Sequence, residues 1–110
     1  MNFTSTPFIG FFTKQGKIYS TYKELNEIFG KPYFGPGREA NPPIDRSLSR
    51  VSCQWRIKFE DGTVAIIHDD RQKETNMGFY QWFISGDTGN AFVLVKEVVE
   101  TYRKNKVNTQ

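Results

Sequence analysis

The sequence predicts an α+β domain: one antiparallel sheet of about five strands, with two helices packed on one face. Three observations lead to this prediction. Short segments alternate apolar and polar residues, which is typical of strands with one buried face. Two other segments place apolar residues at helical spacing, and turn-forming residues separate the elements. The resulting order is strand, strand, helix, long loop, three strands and helix, which one sheet covered by two helices satisfies.

Length and composition indicate a single domain over residues 1–110 with an aromatic core. Hydrophobic residues make up 37% of the chain and aromatic residues 15%, enough for a core of ordinary size. The net charge of +3 fits an anionic partner, and it also fits an ordinary soluble surface. One cysteine and one histidine exclude an intramolecular disulfide and disfavour a zinc site. We therefore expect no metal and no cofactor.

The N-terminal third predicts two strands and a helix. Residues 8–19 read as two short strands around Lys14-Gln15-Gly16-Lys17, where Gly16 would supply a positive φ for the turn. Thr21 and Glu24 have the spacing of a capping box, in which the hydroxyl accepts from the Glu24 amide and the carboxylate reaches back. Apolar residues at helical spacing follow this cap, and Gly30 is the residue at which the helical pattern ends. The helix is predicted from about Tyr22 to Phe29.

Residues 31–50 form a loop that is rich in proline and glycine, and it is the first candidate binding region. A connection of about 20 residues inside a compact domain is typically functional or disordered. Arginines beside aromatic rings can pair with phosphate and stack on a base, and a mobile surface insertion is the alternative. The candidate ligand-binding residues of the loop and of the segments after it are Tyr33, Phe34, Arg38, Arg46, Arg50, Arg56, Lys58 and Arg71.

A hairpin follows the loop. Positions 53, 55, 57 and 59 are apolar and alternate with polar residues, so we predict a strand buried on one face. Asp61-Gly62 reads as a two-residue turn. This turn would place Phe59 opposite Val64 and Trp55 opposite His68, which puts the histidine on the apolar side. Arg56, Lys58, Gln54, Gln81 and Phe83 would then lie on the exposed face.

The C-terminal part predicts a further strand, at residues 79–84, and a helix from about Asn90 to Lys104. Asp87 or Thr88 could cap this helix, and residues 105–110 are expected to fray. The stripe that packs on the sheet would include Ala91, Leu94, Val95, Val98 and Tyr102.

No set of residues predicts catalysis. His68-Asp69-Asp70 offers a base with carboxylates but no nucleophile, and a Cys53–His68 dyad would require a thiol that the strand pattern buries. Glu60-Asp61 is explained by the turn. The glycines at 86 and 89 before a helix could attract an anion, although Asp87 would compete for the same amides. We therefore expect a protein that is not an enzyme.

Three segments, QGKIYSTYKELNEIFGKP, WRIKFEDGTVAIIHD and WFISGDTGNAFVLVKE, occur in this order. Together they resemble a family of small accessory proteins of bacteriophages and large DNA viruses. The sequence departs from the family pattern at Phe83, where these proteins often carry histidine. The resemblance implies a viral protein that acts in the host cytoplasm against host defence.

Three functions remain open at this point. The protein could sequester a nucleotide-derived immune signal through the candidate residues above, with self-association into a homo-oligomer. It could instead block a host defence protein, with Phe83, Phe79 and Tyr33 as anchors. The low net charge and the interspersed acidic residues argue against a third function, nucleic-acid binding. The N-terminus lacks the features of a secretory signal, and no apolar stretch is long enough to span a membrane, so we expect no membrane partner.

Overall fold

In the computed structural model of this protein, the described residues form seven secondary-structure elements, which make one sheet and two helices. The structure describes residues 2–6, 13–33, 52–69, 75–87 and 89–108. The elements are β1 (Phe3–Ser5), β2 (Thr13–Ser20), α1 (Tyr22–Phe29), β3 (Gln54–Phe59), β4 (Val64–His68), β5 (Tyr80–Gly86) and α2 (Ala91–Asn108). Within the described ranges, neither helix is long and apolar enough to cross a membrane.

The five strands form an antiparallel sheet in the order β1-β3-β4-β5-β2. Both helices contribute to a single hydrophobic core with one face of this sheet, which we call the helix face. The opposite face is called the outer face. The predicted α+β class, the five antiparallel strands and the packing of both helices on one face are thus confirmed. The largest fully buried side chains of the core are Trp55, Trp82, Phe59, Leu25, Ile57, Ile67 and Ile84.

The predicted N-terminal hairpin is wrong. Residues 13–20 form one continuous strand, β2, which passes straight through the expected turn and pairs with β5. A register shift between Lys14 and Gly16 marks a bulge at this point. Gly16 does not have a positive φ; instead, a Cβ at this position would lie 2.7 Å from the ring of Phe92. Gly16 is therefore required for the close approach of α2. The other part of the prediction, residues 8–12, lies outside the described residues.

Helix α1 matches its predicted bounds, and its caps explain why. Thr21 has extended backbone angles and its hydroxyl accepts from the Glu24 amide at 3.0 Å. Gly30 adopts φ 82°, and its N–H donates to the Asn26 carbonyl at 2.9 Å, so a residue without a Cβ ends the helix. The Glu24 carboxylate serves a different purpose from the predicted one, because it accepts from the Ser20 hydroxyl at 2.5 Å and from Arg103 of α2.

An ion pair between the two helices gives the fold a testable pH dependence. Arg103 donates to Glu24 at 2.6 Å, and this hydrogen bond holds the pKa of Glu24 below its usual value against the opposing effect of burial. A lowered carboxylate pKa stabilises the fold above the unfolded pKa, about 4.3, and this stabilisation is lost as pH falls through the folded value. Because the pair is partly exposed, its contribution is at most about 1 kcal/mol.

We therefore expect Glu24→Gln to lower the free energy of unfolding at pH 7, measured by urea denaturation, and to have almost no effect at pH 3. Glu97→Gln, at an exposed position of α2, is the control and should change little at either pH. A loss of equal size at both pH values would show that the charge of Glu24 is not what stabilises the helix pair.

The β3–β4 hairpin forms, but its register differs from the prediction by one residue. The loop has three residues rather than two: the Phe59 N–H donates to the Thr63 carbonyl at 2.8 Å, and Gly62 adopts φ 94°. This is the geometry of a three-residue hairpin loop with a left-handed glycine. Trp55 consequently pairs with Ile67, and His68 pairs with Gln54. Because side chains alternate between faces, the slip moves His68 from the helix face to the outer face.

The outer face is less exposed than the sequence predicted. On β3, Gln54 is fully buried and Arg56 is only 5% exposed, whereas Lys58 is exposed as expected. On β4, Val64, Ile66 and His68 are also buried. The alternation of β3 is therefore confirmed for the helix face, while the prediction of an exposed, charged outer face is wrong at Gln54 and Arg56.

Helix α2 continues to Asn108, so residues 105–108, which were expected to fray, are helical. Its first turn is capped from a distance, because the Phe92 N–H donates to Gln15 Oε1 in the β2 bulge at 3.0 Å. Asp87 accepts from the Val64 N–H at 3.1 Å, so its carboxylate continues the pairing of β4 with β5 instead of capping the helix. Residues 88, 109 and 110 lie outside the described ranges.

Candidate functional site

The strongest candidate site is a pocket beside the edge of β3. Two chain segments lie end to end along this edge: the Thr6 N–H after β1 donates to the Arg56 carbonyl at 3.0 Å, and the Tyr33 N–H donates to the Gln54 carbonyl at 2.7 Å. The second segment leaves the helix because Gly30 ends α1 and Pro32 disfavours helical angles in the residue before it. The two segments and the strand enclose a cavity of about 290 Å³, lined by Ser5, Thr6, Lys31, Pro32, Tyr33 and Arg56.

Arg56 is the central group of this pocket. Its guanidinium lies over the Tyr33 ring, 3.9 Å from the ring centroid, which is a cation–π contact. Its Nε donates to Gln54 Oε1. Burial lowers the pKa of Arg56, and the interactions with Tyr33 act in the opposite direction. Because the pKa of arginine lies so far above neutrality, the side chain stays charged at pH 7. The pocket thus contains a positive charge that is largely removed from water.

Gln54 adds a second polar group behind Arg56. Its side chain is fully buried, and its Nε2 has no hydrogen-bond partner among the described residues. Buried amide donors are normally paired, so this one is an unusual feature of the fold. The oxygen of the Gln54 amide accepts from the guanidinium, and the amide nitrogen beside it could still donate to a ligand.

The remaining lining residues favour an anionic ligand with a flat group. Lys31 is exposed and contributes a second cation, while Ser5 and Thr6 carry hydroxyls that can donate hydrogen bonds. Pro32 and the Tyr33 ring provide flat apolar surface. None of the lining residues that the structure describes is acidic. Arginine pairs with phosphate or carboxylate and stacks on planar groups, so the lining suits a small phosphorylated molecule with a ring.

The structure brings together two of the eight predicted site residues, Tyr33 and Arg56. Lys58 lies on the same face of β3, two residues further along, but it does not line the pocket. Phe34, Arg38, Arg46, Arg50 and Arg71 lie outside the described residues. Four lining residues were not predicted: Lys31 and Pro32 fit the sequence pattern of a helix end, and Ser5 and Thr6 lie in and beside β1, a strand that the sequence did not predict.

A second polar cluster surrounds His68. Its Nδ1 lies 2.8 Å from the Asp69 carbonyl, and its Nε2 lies 3.0 Å from the Ser85 hydroxyl. The carbonyl can only accept, so Nδ1 donates to it, and in the neutral ring Nε2 then accepts from the Ser85 hydroxyl. A serine within reach of an oriented histidine resembles an activated nucleophile. Both side chains are buried, however, with 7% and 6% exposed, so the pair links β4 to β5.

The hypothetical Cys53–His68 dyad is contradicted, because Cys53 lies in the core of the helix face and His68 lies on the outer face. Burial and the Asp69 carboxylate raise the pKa of the Cys53 thiol well above its usual value, so the thiol stays protonated. Asp61 accepts from the Thr63 N–H at 2.9 Å and stabilises the turn, as predicted.

The glycine-flanked start of α2 offers little to an anion, because Gln15 occupies the Phe92 amide. Within the described ranges, no three histidine, cysteine or acidic residues are grouped in a way that could hold a metal ion. The pocket at Arg56 is therefore the site with the best-defined chemistry.

Comparison of the sequence with protein-family models gave no match, and comparisons with curated proteins and with solved structures gave none either.

Proposed function

We propose that this protein is a non-enzymatic binding protein that sequesters a nucleotide-like ligand in the Arg56 pocket. One observation carries the proposal: Arg56, a residue that is only 5% exposed, places its guanidinium over the Tyr33 ring and lines an open cavity. Arginine pairs with phosphate through its planar set of donors, so this side chain would hold an anionic ligand in the cavity. The stacking of guanidinium and phenol also offers a planar surface to a base.

The size of the pocket narrows the ligand class. Ligand pockets commonly enclose ~300–1,000 Å³, and this one, at about 290 Å³, lies at the lower end. We infer a mononucleotide or a small cyclic nucleotide rather than a larger dinucleotide. Within the described part of the lining, no residue offers a general base or a nucleophile paired with one, which favours capture over turnover.

The biological setting of the proposal rests on the resemblance to viral accessory proteins. A small protein that binds a nucleotide tightly and does not convert it would lower the free concentration of a host immune signal. We propose that it acts in this way in the host cytoplasm, against host defence.

The test measures how nucleotides change thermal stability. A ligand that binds the folded state raises its stability by about 2.7 kcal/mol at a concentration of 100 times Kd, so the correct nucleotide should raise the Tm. We expect Lys31→Ala to weaken binding about tenfold, a loss of about 1.4 kcal/mol of binding free energy. Arg56→Lys should weaken it further, because the planar stacking surface is lost while the charge remains.

Lys104→Ala is the matched control, because it removes one exposed lysine from α2 and should leave the affinity unchanged. A panel of mononucleotides and cyclic nucleotides that leaves the wild-type Tm unchanged would exclude the proposal. If Lys31→Ala and Lys104→Ala weakened nucleotide binding equally, the binding would reflect the net charge of the protein and not a specific pocket.

A further inference from the structure

Two aromatic rings lie exposed on the outer face, towards the opposite edge of the sheet from the Arg56 pocket. Tyr19 of β2 is 51% exposed, and Phe79, just before β5, is 71% exposed. Their rings stack with centroids 5.9 Å apart and an interplanar angle of 14°. The Tyr19 hydroxyl donates to Gln81 Oε1 at 3.2 Å, which holds the ring in place. The result is a fixed, flat apolar surface in contact with solvent.

Cations flank this surface on the same face. In the β2–β5 register, Tyr19 lies opposite Gln81 and Lys17 lies opposite Phe83, so Lys17 and Tyr19 point to the same side, roughly 7 Å apart. Further along β2, Lys14 Nζ lies 4.3 Å from the centroid of the Phe83 ring. Both lysines are exposed.

The described residues bring little negative charge to this surface. None of the residues that β2 and β5 direct to the outer face is acidic. Asp87, which follows β5, is engaged by the Val64 N–H. The patch of Lys14, Lys17, Tyr19 and Phe79, which we call the platform, is therefore basic and aromatic even though the whole chain carries a charge of only +3.

We propose that the platform binds single-stranded nucleic acid. An unpaired base stacks on the Tyr19–Phe79 pair, and the adjoining phosphates lie against Lys17 and Lys14. Stacking of a base on an aromatic side chain contributes about 1–3 kcal/mol and tolerates any sequence, because every base has a π-face. Bases of a duplex are already stacked on one another, so the platform selects single strands.

This site is independent of the nucleotide pocket. β2 and β3 are separated by β4 and β5, which places the two sites about 14 Å apart at three strand spacings. Variants of one site should leave the other unchanged, so failure of either proposal can be recognised separately.

The experiment uses fluorescence anisotropy of a labelled 12-nucleotide oligo(dT) and of the corresponding oligo(U) with the full chain. Two phosphate contacts predict that affinity falls roughly sevenfold between 50 and 200 mM salt. Phe79→Ala should weaken binding at least about fivefold, and Lys14→Ala with Lys17→Ala should flatten the salt dependence. Because these side chains are exposed, the variants should retain the wild-type Tm.

Val93→Ala is the control for Phe79→Ala, since Val93 is an exposed apolar residue of α2; it should leave the affinity unchanged. Failure of the wild type to bind either oligonucleotide, or equal binding of a duplex, would overturn the proposal. It would also be overturned if Phe79→Ala left oligonucleotide affinity intact and instead abolished self-association in sedimentation, because the platform would then be a protein interface.

Discussion

Replacing Trp55 with alanine is expected to lower the free energy of unfolding by about 3–5 kcal/mol, the usual loss for a large aromatic residue of the core. Trp55 is 1% exposed, and its ring lies edge-to-face against Trp82 at 5.4 Å between centroids. Its indole N–H also donates to the Gly30 carbonyl at 2.8 Å, which connects β3 to the end of α1. The substitution therefore removes both packing and a hydrogen bond between sheet and helix.

Urea denaturation monitored by circular dichroism measures this loss as a change in midpoint at constant slope. Lys58→Ala is the control on the same strand, where the side chain is exposed and a change within about 0.5 kcal/mol is expected. If the two substitutions had similar effects, the assignment of the faces of β3 would be wrong.

Asp69→Ala is also expected to have a large effect: it should lower the free energy of unfolding by about 3 kcal/mol. Asp69 is fully buried. Its Oδ1 accepts from the Ser52 N–H at 2.7 Å and from the Cys53 N–H at 3.3 Å, and its Oδ2 accepts from the Ser52 hydroxyl. Leaving a buried donor unpaired is unfavourable by about 1–3 kcal/mol. The alanine variant leaves two such donors unpaired, the backbone N–H groups of Ser52 and Cys53.

Asp69→Asn separates the hydrogen bonds from the charge. The amide oxygen of asparagine can keep both backbone bonds at the Oδ1 position, so only the acceptor for the Ser52 hydroxyl is lost. We expect less than half of the loss seen with alanine in the same denaturation experiment. If asparagine proved as destabilising as alanine, the negative charge rather than the amide bonds would stabilise this junction of β3 and β4.

Much of the fold could be predicted from the sequence because local patterns reflect burial directly. The alternation at positions 53, 55, 57 and 59 predicted the helix face of β3, and all four residues lie in the core. The cap at Thr21 and the left-handed residue at Gly30 bounded α1 correctly. These signals involve neighbours in the chain, whose geometry depends little on the rest of the molecule.

The two errors in the strands have a common physical cause. The β3–β4 turn can adopt either two or three residues around Asp61-Gly62, and the choice decides on which face His68 lies. Gly16 looked like a turn residue, but its small size serves the approach of Phe92, which lies 76 positions later in the chain. A glycine needed for space and a glycine needed for its backbone angles cannot be distinguished without the packing partner.

The candidate site was predicted in part only. Tyr33 and Arg56 were selected for their chemistry, and the structure joins them in a cation–π contact. The other walls of the pocket come from β1 and from the residues after α1. They meet Arg56 because the backbone N–H groups of both segments donate to carbonyls along the same edge of β3. Side-chain patterns in the sequence contain no information about these backbone hydrogen bonds.

By itself, the sequence of this protein determined the identity of the helices, the buried face of β3 and the aromatic core, since each depends on spacing along the chain. Only the tertiary structure decided the order of the five strands in the sheet, that Arg56 is buried against Tyr33, and that Tyr19 and Phe79 remain exposed as a stacked pair. The reason is that the two ring contacts join residues more than 20 positions apart, and that β1 and β2 pair with residues more than 50 positions away. Such contacts are selected by the packing of whole elements, and no local pattern specifies them.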